Sequence, residues 1–269
     1  MSRTIITAAL AASAAGIAGG IPAGAQDDAA RTGGSFLEEF DGDRLDRTLW
    51  FVSDGWVNGD WHGCSWNGRN VEMRGGELAL ILDDTETDDR PYSCGEIQTT
   101  DVYHHGAYEV RMSGAAAPGI ISAFFTYTGP HFGDPHDEID IEFPGARPRT
   151  VELNNWVDGE DADDDGVKQD LGFDASADLH DYAFVWAPDS LRWYVDGELV
   201  REITDPARIP QTPSKIFASI FNGTEPMQDW LGRFDYPGEP LVARIARIAY
   251  TAPGEPCQFE GSIACEAPR

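Results

Sequence analysis

The stretch His136-Asp137-Glu138-Ile139-Asp140-Ile141-Glu142-Phe143 alternates carboxylates with apolar residues from Glu138 onward. Successive side chains of a β-strand face opposite ways, so Glu138, Asp140 and Glu142 share one face while Ile139, Ile141 and Phe143 share the other. Three like charges in a row repel one another and suit a purely structural strand poorly. They suit glycoside hydrolysis with retention, which needs one carboxylate nucleophile and one protonated carboxylic acid. On a straight strand the Cα atoms of Glu138 and Glu142 lie about 13 Å apart, whereas retention wants the carboxyl groups about 5 to 5.5 Å apart. The expected strand therefore belongs to a curved sheet, with two long side chains leaning over Asp140.

Outward from this strand the helical period is nearly absent. Short alternating or fully apolar runs recur between turn residues, at 77–82, 107–112, 120–127, 151–156, 182–187, 215–221 and 241–250, which is an all-β pattern. Leu191-Arg192-Trp193-Tyr194-Val195, Asp196-Gly197 and Glu198-Leu199-Val200 read as a hairpin with a two-residue turn in which Asp196 and Gly197 take positive φ. Two packed sheets in a jelly-roll sandwich are the natural closure, and the length fits one domain.

The amino terminus reads as an export signal over residues 1–25: Arg3, an apolar run from Ile5 to Ile21, then the small-residue cleavage pattern Ala23-Gly24-Ala25. The expected domain is 26–251, followed by a tail, 252–269, with three prolines and two cysteines. The 47 acidic residues against 19 basic ones leave a net charge of −28, which argues against nucleic acid or an anionic membrane surface as partner. Most of that excess lies outside the motif, at 83–89 and 158–165, as a solvated coat. Four cysteines in an exported chain suit disulfides, with three possible pairings. A secreted or periplasmic monomer is expected.

The segment Ser122-Ala123-Phe124-Phe125-Thr126-Tyr127-Thr128-Gly129-Pro130, the acidic strand after it, Leu171-Gly172-Phe173-Asp174, Trp193-Tyr194-Val195-Asp196-Gly197 and Asn222-Gly223-Thr224 together resemble the lichenase-like branch of glycoside hydrolase family 16. The resemblance runs from about Phe36 to Tyr250. It implies a concanavalin-like sandwich of two curved antiparallel sheets, a retaining endo-β-glucanase activity and a polysaccharide substrate. It implies Glu138 as nucleophile, Glu142 as acid/base, and Asp140 between them as modulator of their charge. It implies cleft positions at Asn58, Glu96, Tyr127, Asn154, Trp156, Asn222 and Trp230. It also implies a Cys64–Cys94 disulfide, which leaves Cys257 and Cys265 to close the tail.

Departures from the lichenase pattern concern substrate. His136 stands where many lichenases have Trp, and Gln98 where they have an arginine two residues after the equivalent of Glu96. The strings Gly95-Glu96-Ile97-Gln98-Thr99 and Pro135-His136-Asp137-Glu138, with the tail cysteines, look closer to bacterial succinoglycan depolymerases. His136, beside three carboxylates, reads either as a pH-sensitive orienting group at the cleft or as a packed loop residue. Of the eight tryptophans, Trp186 and Trp193 fit the core, while Trp56, Trp61 and Trp66 surround a Gly-rich segment suited to lining a cleft. No cofactor is expected. Asp161-x-Asp163-x-Asp165-Gly166 opens like a calcium loop, but its twelfth position is Gly172 rather than glutamate. The family's own calcium site often uses an aspartate where this chain has Ala246, so no metal site is assigned. Two rival readings stand beside this one: a non-catalytic carbohydrate-binding module on the same sandwich, against which the complete carboxylate triplet argues, and a transglycosylase with the same catalytic strand that passes the covalent intermediate to a sugar.

Overall fold

The computed structural model describes residues 32–161 and 166–266. The expected export signal lies outside them, as do Asp163 and Asp165 of the acidic loop. The two sheets form the jelly-roll sandwich that the alternating runs predict. The eight-stranded sheet runs, from one edge, through Glu160–Asp161, Thr150–Val157, Asp137–Pro144, Ile120–Thr128, Lys215–Asn222, Glu96–Thr99 and Trp50–Val52, with Val167–Asp170 also pairing to Thr150–Val157. The ten-stranded sheet has at its centre His180–Ala187, Gly106–Ser113, Leu241–Thr251 and Glu77–Asp83. Among the described residues the α-helices are two four-residue turns, Gln228–Leu231 and Ile263–Glu266, and no helix is long and apolar enough to cross a membrane.

The apolar halves of the alternating runs meet between the sheets. Ile139, Ile141 and Phe143 join Phe124, Ile216, Ala218 and Ile220 in the main core. Across the interface Phe143 meets Tyr182 edge-on at 4.7 Å, and Phe124 lies 6.1 Å from Phe184, a spacing at which aromatic pairs add to simple burial. Trp193 reaches through the core from the opposite sheet, and its Nε1–H donates to the Asp140 carbonyl at 3.1 Å. The Arg201 guanidinium lies 4.4 Å above the Trp193 ring and donates to the Leu153 carbonyl. A core tryptophan and a buried arginine thus hold the backbones of the acidic strand and its neighbour. Trp186 is buried as expected, with its Nε1–H on the Pro210 carbonyl.

Asp196 (φ 48°) and Gly197 (φ 81°) close the expected hairpin. Both disulfides follow the implied pairing, Cys64–Cys94 and Cys257–Cys265. The first sits where Ser65–Trp66 runs parallel to Ser93–Cys94. The tail turns back after Thr251 onto the outer face of the ten-stranded sheet, where Glu109 accepts hydrogen bonds from Ser262 Oγ at 2.6 Å and the Ile263 amide at 2.8 Å. One expectation fails. Trp66 does not line a cleft but is fully buried, because its ring completes an aromatic cluster with His62 and Phe221.

Candidate active site

The polar halves of the same strands make three rows across the outer face of the eight-stranded sheet. In the first row Glu138 stands between Trp156 and Tyr127, with Lys215 beyond. In the second, Asp140 stands between Asn154 and Phe125, followed by Phe217 and Gln98. In the third, Glu142 stands between Glu152 and Ala123, followed by Ser219 and Glu96. Rows form because antiparallel register puts directly opposed residues on the same face. Phe125 and Phe217 stack at 5.0 Å, and together with Ala123 and Tyr127 they form an apolar patch separate from the main core.

The acidic strand is anchored at its start. Asp137 accepts from the amides of Asp158 at 3.0 Å and of Gln211 and Thr212 at 2.9 Å. The three carboxylates that follow are almost sealed from water, at 0 % (Glu138), 1 % (Asp140) and 5 % (Glu142) exposure. Desolvation disfavours their charged forms, and burial accordingly pushes all three upward. What separates them is their neighbours. A hydrogen bond between Asp140 and Glu138 lowers Glu138 and raises Asp140, while the charge of Glu138 raises Asp140 further. Glu142 is held up, after burial, by the negative charges of Asp140, Glu152, Glu138 and Asp161. Of the outer pair, Glu138 has a group that favours its ionised form and Glu142 is surrounded by groups that keep it protonated. That is the division of labour a nucleophile and a general acid require.

The residues expected around the cleft are placed unequally. Tyr127, Asn154 and Trp156 stand in the rows. His136 reaches Glu138 Oε2 with Nε2 at 2.6 Å. Glu96 is buried and accepts from Ser53 Oγ at 2.6 Å, and burial pushes its carboxyl up to about 8. Asn58 accepts from Trp66 Nε1 at 2.9 Å, which pins the loop that carries it. Trp230 donates through Nε1 to Glu152 Oε2 at 2.8 Å. Asn222 ends its strand in the same parity as the core-facing Ile216, Ala218 and Ile220, is buried, and packs against Gly63, where an added Cβ would lie 2.3 Å from Asn222 Nδ2.

Glu152 and Ser53 escape a reading of the sequence alone. Glu152 precedes Asn154 and Trp156 at the period of two and shares their face, so the signal was present. Its position directly beside Glu142 depends on register, as does its bond from Arg147. Ser53 lies beyond its strand and meets Glu96 only through the fold. A test of this electrostatic arrangement is Glu152→Gln, which removes one of the negative charges that raise Glu142 while keeping an acceptor for Trp230. Activity that needs protonated Glu142 is lost as pH rises through its pKa. The alkaline limb of kcat/KM is therefore expected to move to lower pH, and an unmoved limb would show that Glu152 does not act on Glu142.

A cavity of about 620 Å³ lies elsewhere, between the tail and the outer face of the ten-stranded sheet. Its Asp181 is paired with both Arg111 and Arg247, so its charges are engaged with one another rather than poised for proton transfer.

Comparison with known proteins agrees with this geometry. Residues 58–237 match the family described as Glycosyl hydrolases family 16. The chain is 43 % identical over 235 residues to the endo-1,3-1,4-beta-glycanase ExoK of Rhizobium meliloti (strain 1021), covering 87 % of this chain and 85 % of that protein. It is 43 % identical over 223 residues to a beta-glucanase of Bacillus subtilis (strain 168), covering 82 % and 88 %. The solved Bacillus licheniformis beta-glucanase superposes with a TM-score of 0.76 at 41 % identity, covering 82 % of this chain and 100 % of that one. With the buried carboxylate triplet on its sandwich, the chain belongs to glycosyl hydrolase family 16 and is a glycoside hydrolase.

Proposed function

We propose that the protein is an exported, retaining endo-β-glycanase that cleaves β-1,3/1,4-linked glucan or a related exopolysaccharide such as succinoglycan. The observation that carries this reading is the row of Glu138, Asp140 and Glu142 on one buried strand face, where burial raises both outer carboxyls but only Glu138 has a hydrogen bond, from Asp140, that favours its ionised form. In the first step protonated Glu142 gives its proton to the glycosidic oxygen as the Glu138 carboxylate attacks the anomeric carbon. The C–O bond to the leaving sugar breaks and a glycosyl ester forms on Glu138. In the second step ionised Glu142 takes a proton from water, whose oxygen displaces Glu138 and restores the original anomeric configuration. Asp140, protonated, donates to Glu138 and holds it as the carboxylate. Trp156, Tyr127 and the Phe125–Phe217 pair offer apolar faces to sugar rings, and Asn154, Glu96 and Gln98 offer hydrogen bonds.

Two residues favour an exopolysaccharide over plain mixed-linkage glucan: His136 at the nucleophile and Gln98 in the row of Asp140. Succinoglycan is acidic and the enzyme carries a net charge of −28, so screening should assist that pairing. Initial rates on both polymers at low and moderate ionic strength are the test. Succinoglycan is expected to be cleaved at least as well as mixed-linkage glucan, with salt raising only the succinoglycan rate. Cleavage of mixed-linkage glucan with none of succinoglycan at any salt would return the chain to a plain lichenase specificity.

A further inference from the structure

His136 is more tightly built in than the site chemistry so far requires. Its ring stacks on Trp156 at 5.4 Å and 11°, and Tyr127 meets it edge-on at 5.3 Å and 64°. Its backbone carbonyl accepts from the Gly159 amide at 2.9 Å, and Gly159 takes φ 80° in the turn after Val157. An aromatic wall on each side and a fixed backbone leave the ring one direction for Nε2, toward Glu138 Oε2 at 2.6 Å. The two side chains are 11 % and 0 % exposed, so water does not compete for this bond.

The chemistry of the contact follows from its partners. A carboxylate can only accept, so an imidazole that serves an ionised Glu138 must present Nε2–H. Glu138 is then bracketed by a donor from Asp140 and a donor from His136. Glu138 Oε1 and Asp140 Oδ1 have no N–H or hydroxyl partner, and the two carboxyls are hydrogen-bonded to one another. A buried carboxylate held by donors keeps its charge and its orientation at once.

We propose that His136 is a positioning residue for the nucleophile: its Nε2–H, fixed by the Trp156 and Tyr127 rings, holds the Glu138 carboxylate oriented and ionised, so that the proton held by the His136–Glu138 pair sets the acidic limit of the glycosylation step. The proposal rests on Glu138 being the nucleophile.

The surroundings of His136 leave it this role. On its own strand Asp137 is engaged by three backbone amides. On the strand Ile120–Thr128 the titratable group is Tyr127, pushed up to about 12 by burial and by the charge of Glu138, hence neutral. On the turn after Val157 it is Asp158, whose amide is on Asp137. In the 129–135 loop Asp134 accepts from Thr128 Oγ1 at 2.8 Å. Lys215, beyond Tyr127, donates to the carbonyls of Thr99 and Thr100. Burial lowers His136 and the nearby Asp137 charge partly restores it, so the neutral imidazole with one N–H is the form that meets Glu138 near neutral pH.

The experiment compares His136→Gln with His136→Asn. A glutamine amide nitrogen falls where the imidazole Nε2 was and keeps a donor that does not titrate, whereas asparagine is too short to reach Glu138. The readout is kcat/KM against pH on an activated aryl β-glycoside, with thermal midpoints to establish that both variants fold. The Asn variant is expected to lose at least about tenfold, the scale of a hydrogen bond to a charged group, and its acid limb should move to higher pH because Glu138 has lost a donor that favours its ionised form. The Gln variant should recover most of the rate and hold its acid limb below that of the Asn variant. Acid limbs that coincide with wild type in both variants, with the loss confined to KM, would overturn the proposal and make His136 a substrate contact. Azide rescue of Glu138→Ala is run in parallel. An absent inverted azide product there would refute the nucleophile assignment itself, whatever the His136 variants do. Should the Asn variant fail to fold, His136→Phe, which keeps the stack on Trp156 and lacks the donor, makes the same comparison with Gln.

Discussion

Glu138→Ala is expected to lose hydrolysis by about 10⁴-fold or more, because the glycosyl ester has no oxygen on which to form. Azide should restore turnover of an activated aryl β-glycoside and release a glycosyl azide of inverted configuration, since the small anion enters the space left by the carboxylate and attacks once. Glu142→Ala should lose roughly 10²–10⁴-fold, the usual contribution of a positioned acid/base, and lose less on aryl leaving groups that depart without a proton. In that variant Glu138 still forms the ester and azide attacks second, so the product retains configuration. Proton NMR of the anomeric centre reads both results. The reverse stereochemistry would exchange the two roles, which would also require that the neighbours of Glu138 and Glu142 bias them in the opposite sense to that seen here.

Loss of the Cys64–Cys94 bridge carries the largest expected effect on stability. The bridge closes a separation of 30 residues, which loop-closure entropy converts to roughly 3–4 kcal/mol of stabilisation. For a domain of this size that corresponds to a fall in thermal midpoint on the order of 10 °C. The bridge also ties the short parallel pair to the loop carrying Asn58, so Cys64→Ser with Cys94→Ser is expected to raise KM as well. The tail bridge closes only 8 residues, and its removal should cost less and leave KM unchanged. Calorimetry of the two double variants tests this ranking, and equal falls in midpoint would refute it.

Much of the architecture could be read locally. Alternation between Glu138 and Phe143 assigns each residue to a face, because a strand has a period of two whatever it packs against. The same holds for Val151 through Trp156 and for Asp196-Gly197, whose backbone preference is intrinsic to the turn. Trp66 misleads for the opposite reason. Its neighbours in sequence are mostly small or polar, and only the arrival of Phe221 from a distant strand, beside the local His62, makes its position core. The disulfide pairing was not deducible from four cysteines alone, since three connectivities are equal until the fold brings Cys64 beside Cys94.

An all-β sandwich and an acidic strand with Glu138, Asp140 and Glu142 on one face are legible in the residues alone. Only the folded arrangement sets how strongly each carboxyl is biased: burial raises all three, and neighbouring carboxylates raise Asp140 and Glu142 further. That bias depends on the loss of water around all three, on Glu152 standing beside Glu142, and on the hydrogen bond between Asp140 and Glu138. Side-chain direction along a strand is a local property of the backbone. Protonation is a sum over burial and the charges and dipoles within a few ångströms, and part of that sum, Glu152 and Asp161 near Glu142, comes from strands that only the fold brings alongside.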